Sequence, residues 1–161
     1  MASKNNQLNI FLSNLAVMNI KIHNLHWNII GAEFPVIHKM TEKLYKMIQL
    51  QFDEVAEAMK MQNEMPFASM ADYLKNATID EIESRDFNAY EVLEELDADC
   101  QTIMDLAKDI RDEADKKDNF LIANLFEDYL AVYAKKSWMI RTMLKEDAIP
   151  LEEDEESEDD E

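Results

Sequence analysis

Glycine is nearly missing from this chain: there is one in 161 residues, Gly31. A phosphate cradle needs several glycines, because backbone must approach the phosphates closely, so a nucleotide-binding loop is excluded. Cysteine is equally scarce, with Cys100 alone. One cysteine allows no internal disulfide and no Cys-x-x-Cys motif, and Cys100 reads as a small buried hydrophobe in a reducing cytoplasm. Proline occurs three times, too rarely for a chain of many short turns. No apolar run is long enough to span a membrane, and the first residues contain no apolar segment of the signal-peptide kind. Basic residues are few: 16 Lys and Arg stand against 35 Asp and Glu, a net charge of −19. Nine of the ten residues at 152–161 are acidic, so the rest of the chain still carries −10. Such a surface repels nucleic acid phosphates and anionic membranes and attracts cations. Residues 150–161 are too polar to bury a core and read as a disordered acidic tail.

What remains is an apolar pattern of helical period. Leu8, Phe11, Leu12, Leu15, Met18, Ile22, Leu25 and Ile29 predict a helix over about 7–30, ended by Gly31 as its left-handed cap. Pro35 opens a second helix over 35–61, with Ile37, Met40, Leu44, Tyr45, Ile48, Phe52, Val55 and Met59 inward. A short helix is expected at 69–75, capped by Ser69, with Tyr73 and Leu74 packing. A third long helix covers 89–115, with Tyr90, Leu93, Leu96, Cys100, Ile103, Met104, Ala107 and Ile110 inward. A fourth covers 120–145, with Leu121, Leu125, Tyr129, Val132, Trp138, Ile140 and Leu144 as its core face. The first and second pairs of long helices are joined by short turns. The middle connection is long enough to cross a bundle, which is the arrangement of ferritin-like four-helix bundles. The expectation is an all-α domain over 1–149.

The chemistry gathers between residues 26 and 57. His38/Glu42 and Asp53/Glu57 are i, i+4 pairs on one helix, and the four share an arc of roughly 100°. Glu42 and Asp53 lie roughly 16 Å apart along the axis, too far to share one ion whose bonds are about 2 Å. A second, antiparallel copy resolves this. A two-fold axis between Met47 and Ile48 sets His38 beside the partner subunit's Glu57, and Glu42 beside the partner subunit's Asp53. Each dimer then holds two equivalent mixed sites. His26 joins from the first helix, brought over the start of the second by the turn at Gly31. Neutral imidazoles with carboxylates suit iron(II). His23 has no mirrored partner and reads as an orienting or packing residue. Trp27 is either a core aromatic or, beside a redox metal, an electron donor that intercepts radicals. A polar face on an acidic amphipathic helix is the plain alternative. No Glu-x-x-His is present, so the in-subunit di-iron pattern is missing.

His26-Trp27-Asn28, Gly31, Phe34, His38, Glu42, Asp53 and Glu57 together resemble the signature of the Dps family, the mini-ferritins of starved cells. Asp128 followed by Trp138-Met139-Ile140-Arg141 is similar to that family's last helix. The resemblance spans roughly 8–145. It implies a dodecameric hollow shell that oxidises Fe(II), preferentially with hydrogen peroxide, and stores Fe(III) as oxyhydroxide. It also implies metal ligands His26, His38 and Glu42 from one subunit and Asp53 and Glu57 from its two-fold mate. Zn(II) or another divalent ion would fit the same ligands. Departures are Ala58 where Arg is common, Lys136-Ser137 where His is frequent, and Asn124 at an often acidic pore position, which passes pore duty to Asp128. DNA-binding members often carry a basic tail, whereas this chain ends in acid, so DNA binding is not expected. Three rivals remain: a metal buffer without turnover, with zinc in place of iron, an acidic interaction protein, and a protein that compacts the nucleoid.

Overall fold

A computed structural model describes residues 6–145, and the acidic tail lies outside them. Five helices follow in order: α1 (Asn6–Asn28), α2 (Phe34–Met61), α3 (Met70–Asn76), α4 (Ala89–Asp115) and α5 (Phe120–Leu144). The four long ones make an all-α bundle, with α1 packed on α2, α3 and α4, and α4 packed along α5. Local sequence accounts for the helix ends. Asn88 opens α4 with a reciprocal cap: its Oδ1 accepts from the Glu91 N–H at 2.9 Å, and Glu91 Oε2 accepts from the Asn88 N–H at 2.9 Å. The Ser69 side chain caps α3 by accepting from the Asp72 N–H. Asp118, at φ +53°, turns the chain between α4 and α5.

The helix α1 stripe is inward as expected, from Leu8 to Ile29. The end of that helix differs from expectation. It stops at Asn28, and Ile29 pairs as a parallel bridge with Phe87, the Ile30 N–H donating to the Phe87 carbonyl at 2.9 Å. Gly31 is therefore not the helix cap. It sits further on, at φ +102°, where the chain reverses into α2. On α4, Tyr90 faces out, and on α3 Leu74 does the same. On α5, Tyr129 and Ile140 are buried as expected, but Ile122, Phe126 and Tyr133 complete the inward face, while Val132 and Trp138 are exposed.

The crossover, residues 62–88, is fastened to α1 by asparagines. Asn9 Oδ1 accepts from the Phe67 N–H, Asn14 Oδ1 accepts from the Thr78 and Ile79 N–H groups, and Asn24 donates to the Ile82 and Glu83 carbonyls. These bonds fix the buried face of α1 against a segment with little regular structure of its own, which satisfies backbone groups that would otherwise be stranded.

One charged group crosses the core. Lys21 Nζ on α1 lies 2.9 Å from Glu95 Oε2 and 2.9 Å from Asp99 Oδ1 on α4. Burial outweighs the ammonium for Asp99 and pushes its carboxyl up to about 6. Removing the ammonium strands a buried carboxylate. Lys21→Ala is therefore expected to destabilise the fold by about 3–5 kcal/mol in denaturant titration. A loss below about 1 kcal/mol would show the pair to be effectively solvated.

Candidate metal centre

The turn at Gly31 folds the end of α1 back against the start of α2 and brings His26 and His38 ring to ring. Their centroids are 3.7 Å apart and nearly parallel, at 17°. The contact is reciprocal. His26 Nδ1 lies 2.9 Å from the His38 carbonyl, and His38 Nδ1 lies 2.9 Å from the His26 carbonyl. A carbonyl only accepts, so each Nδ1 carries the proton. The second nitrogen, Nε2, is then a bare lone pair in both neutral rings, which is the form that binds a metal. Thr41 adds to the clamp: its Oγ1 is 3.0 Å from His26 Nδ1 and donates to the Ile37 carbonyl at 2.8 Å. Backbone thus orients both rings, the role that outer hydrogen-bond partners play around metal-binding histidines.

A layer of rings flanks the pair. Phe34 stacks on His38 at 4.8 Å, and Tyr45 meets His26 edge-on at 5.3 Å. Tyr45 in turn stacks on His23 at 4.0 Å, whose Nδ1 donates to the Asn19 carbonyl at 2.7 Å. His23 is therefore packed and oriented inside this layer. Trp27 is not a core residue: it is 68% exposed, with its ring 5.3 Å from His23.

Glu42 follows one turn after His38. Its carboxylate forms an ion pair with Lys46, and that ammonium holds the carboxyl below the usual carboxylate range. Asp53 and Glu57 stand exposed further along α2, with no hydrogen bond or ion pair among the described residues. Asp128 is exposed on α5 and lines a shallow groove with Gln51, Glu54 and Tyr129. Among the described residues, no three of His, Cys, Asp and Glu converge within one chain. One chain therefore brings the histidines together and leaves the mirrored acids apart. Two neighbours of the site, Thr41 and Lys46, carry no mark in the apolar sequence pattern, and Tyr45, expected as an inward residue, proves to pack on His23 and His26. The signal for Thr41 and Lys46 is spacing, since they fall one turn after His38 and Glu42.

Burial, and secondarily the neighbouring His38, lowers the pKa of His26 from its ordinary 6.5. A lowered pKa keeps the ring neutral further into acid. Metal binding through His26 should then persist as pH falls to 6.5 and fade only below it. Zn(II) titrations from pH 8 to 5 test this, and a half-loss above pH 6.5 would contradict it.

Among the described residues, four long helices and a short one, with a long crossover between the second and third long helices, define a class, the ferritin-like bundles. A ferritin-like domain model matches residues 5–149. The DNA protection during starvation protein of Brevibacillus brevis is 30% identical over 138 residues, covering 86% of this chain and 92% of that protein. The Helicobacter pylori protein of the same name is 27% identical over 128 residues, covering 80% and 89%. Among solved structures, the Vibrio cholerae Dps protein superposes with a TM-score of 0.84 at 30% identity, covering 87% of each chain. It is described as a member of a broad superfamily of ferritin-like diiron-carboxylate proteins. Helicobacter cinaedi CAIP gives 0.84 at 30% identity, covering 86% of this chain and 96% of that one. The chain belongs to the Dps family. Membership implies iron storage and ferroxidase-like protection.

Proposed function

We propose that two copies of this chain pair antiparallel along α2 and build two equivalent ferroxidase sites. His26, His38 and Glu42 come from one subunit, and the partner subunit's Asp53 and Glu57 complete the set. Fe(II) is the substrate. Two Fe(II) ions give one electron each to hydrogen peroxide, which takes up two protons and leaves as two waters, so no hydroxyl radical is released. O2 serves as the slower oxidant. The Fe(III) product is stored as oxyhydroxide inside a hollow shell of twelve subunits, which operates in the cytoplasm. Asp128 contributes to the cation path through the shell wall.

The observation that carries this reading is the reciprocal Nδ1-to-carbonyl clamp, which leaves the Nε2 lone pair bare on each of two rings 3.7 Å apart. The exposed, unengaged Asp53 and Glu57 support the second half of the site, since each dimer needs carboxylates still available for a metal. Trp27 gives an electron to an oxidant that escapes the site, a role supported by its exposure and by its ring lying 5.3 Å from His23. Protection comes from removing iron and peroxide together. DNA coating has no part in it, because a net charge of −19, with 35 acids against 16 bases, repels the phosphate backbone.

Gel filtration after anaerobic Fe(II) loading and stoichiometric peroxide tests the storage reading. Ferric absorbance should co-elute with protein at about twelve times 18.8 kDa. Protein running as a dimer, with iron precipitated or eluting apart, would leave a metal buffer as the better account.

A further inference from the structure

We propose that Lys46 is a placeholder cation, occupying the carboxylates of the metal site until a divalent ion displaces it. The inference rests on the intersubunit reading of that site. Within one chain the Lys46 ammonium already holds Glu42 in an i, i+4 ion pair. Pairing of two α2 helices about an axis between Met47 and Ile48 sets Lys46 opposite the partner subunit's Gln49. That position is one helical turn from the partner subunit's Asp53, just as Lys46 is one turn from its own Glu42. Asp53 makes no ion pair in its own chain among the described residues. Lys46 is thus the cation placed to serve both carboxylates of one mixed site.

Two consequences follow, and they have opposite signs. In the empty dimer the ammonium offsets repulsion between Glu42 and the partner subunit's Asp53, so it stabilises the assembly. During loading it competes with the metal for the same oxygens and adds a repelling charge, so it weakens metal binding. The site releases its ion more readily than the ligand set alone would allow, which suits a centre that passes iron onward. A residue that served only to support the helix would move both properties in the same direction.

The test uses full-length assembled protein and Zn(II), which has no redox chemistry, in calorimetric titrations at low ionic strength. For Lys46→Met, Zn(II) affinity should rise about threefold to tenfold, while the melting temperature of the metal-free assembly falls. Lys46→Gln should give the same pair of shifts, and Lys46→Arg should stay near the parent. Lys43→Met removes an equal charge without an ion pair to Glu42 and should change affinity less than about twofold. Equal effects of Lys46→Met and Lys43→Met, or affinity and metal-free stability moving together, would overturn the placeholder role. Glu42→Gln and Asp53→Asn separate the two layers of the inference. Should neither weaken Zn(II) binding, the intersubunit site itself is wrong. Should both abolish it while Lys46→Met changes nothing, only the placeholder is wrong.

Discussion

His38→Ala is expected to slow peroxide-driven Fe(II) oxidation about a hundredfold or more, in an assembly that still forms. Two losses combine in this one substitution. The Nε2 lone pair of His38 disappears, and so does the ring that stacks on His26 at 3.7 Å. The carbonyl of residue 38 survives, so His26 keeps its acceptor at 2.9 Å and its protonated Nδ1. Half of the clamp therefore persists, which limits the damage to the metal. The fold itself should be little affected, because His38 is half-buried at the first turn of α2 and is not part of the buried apolar core. Stopped-flow absorbance of ferric product, with circular dichroism as the control for folding, measures this. A rate within about threefold of the parent would move the chemistry away from the histidine pair.

Asp53→Ala combined with Glu57→Ala should be as damaging, although within one chain these acids make no contact with the histidines. Glu42 and Asp53 are eleven residues apart on α2, roughly 16 Å at about 1.5 Å per residue. Both acids are exposed and carry no hydrogen bond or ion pair among the described residues. Their removal takes nothing from the packing of the isolated chain, so its helices and core should be unchanged. A surface double substitution of this kind is ordinarily near neutral. A loss of about a hundredfold in oxidation rate would therefore report a role that only a second copy can supply. Retention of most of the rate would make Asp53 and Glu57 part of a solvated face and nothing more.

How far the sequence discloses this molecule varies by element, for physical reasons. The α2 and α4 stripes are legible because each of those helices has one apolar and one polar side, so periodicity selects a face. Helix α5 is apolar on nearly every side, from Phe120 through Ile140 to Leu144, and periodicity has no face to prefer. Trp138 and Val132 then look as good a core as Phe126 and Tyr133, and only packing against α4 and α1 decides between them. The sequence points to a later end for α1 because Gly31 is a strong stop signal. The earlier stop at Asn28 depends on Phe87, far along the chain, which pairs with Ile29. The meeting of His26 and His38 follows from the Gly31 turn and could be read locally. The clamp that fixes their tautomers involves the carbonyls of residues 26 and 38, which no side-chain pattern encodes. Asn9, Asn14 and Asn24 look like polar positions on a helix until the crossover is laid against them.

The most direct test of a site shared between subunits is complementation. His38→Ala protein and the Asp53→Ala/Glu57→Ala protein are each dissociated, mixed in equal amounts and reassembled. In a mixed dimer, one site combines both defects, and the other combines an intact histidine half with an intact acid half. Random pairing makes half the dimers mixed, each with one working site of two, so about a quarter of the parent oxidation rate should return. Neither variant alone should show it. If the mixture stays as inactive as its two components, each site lies within one chain, and the two-fold account of this metal centre is wrong.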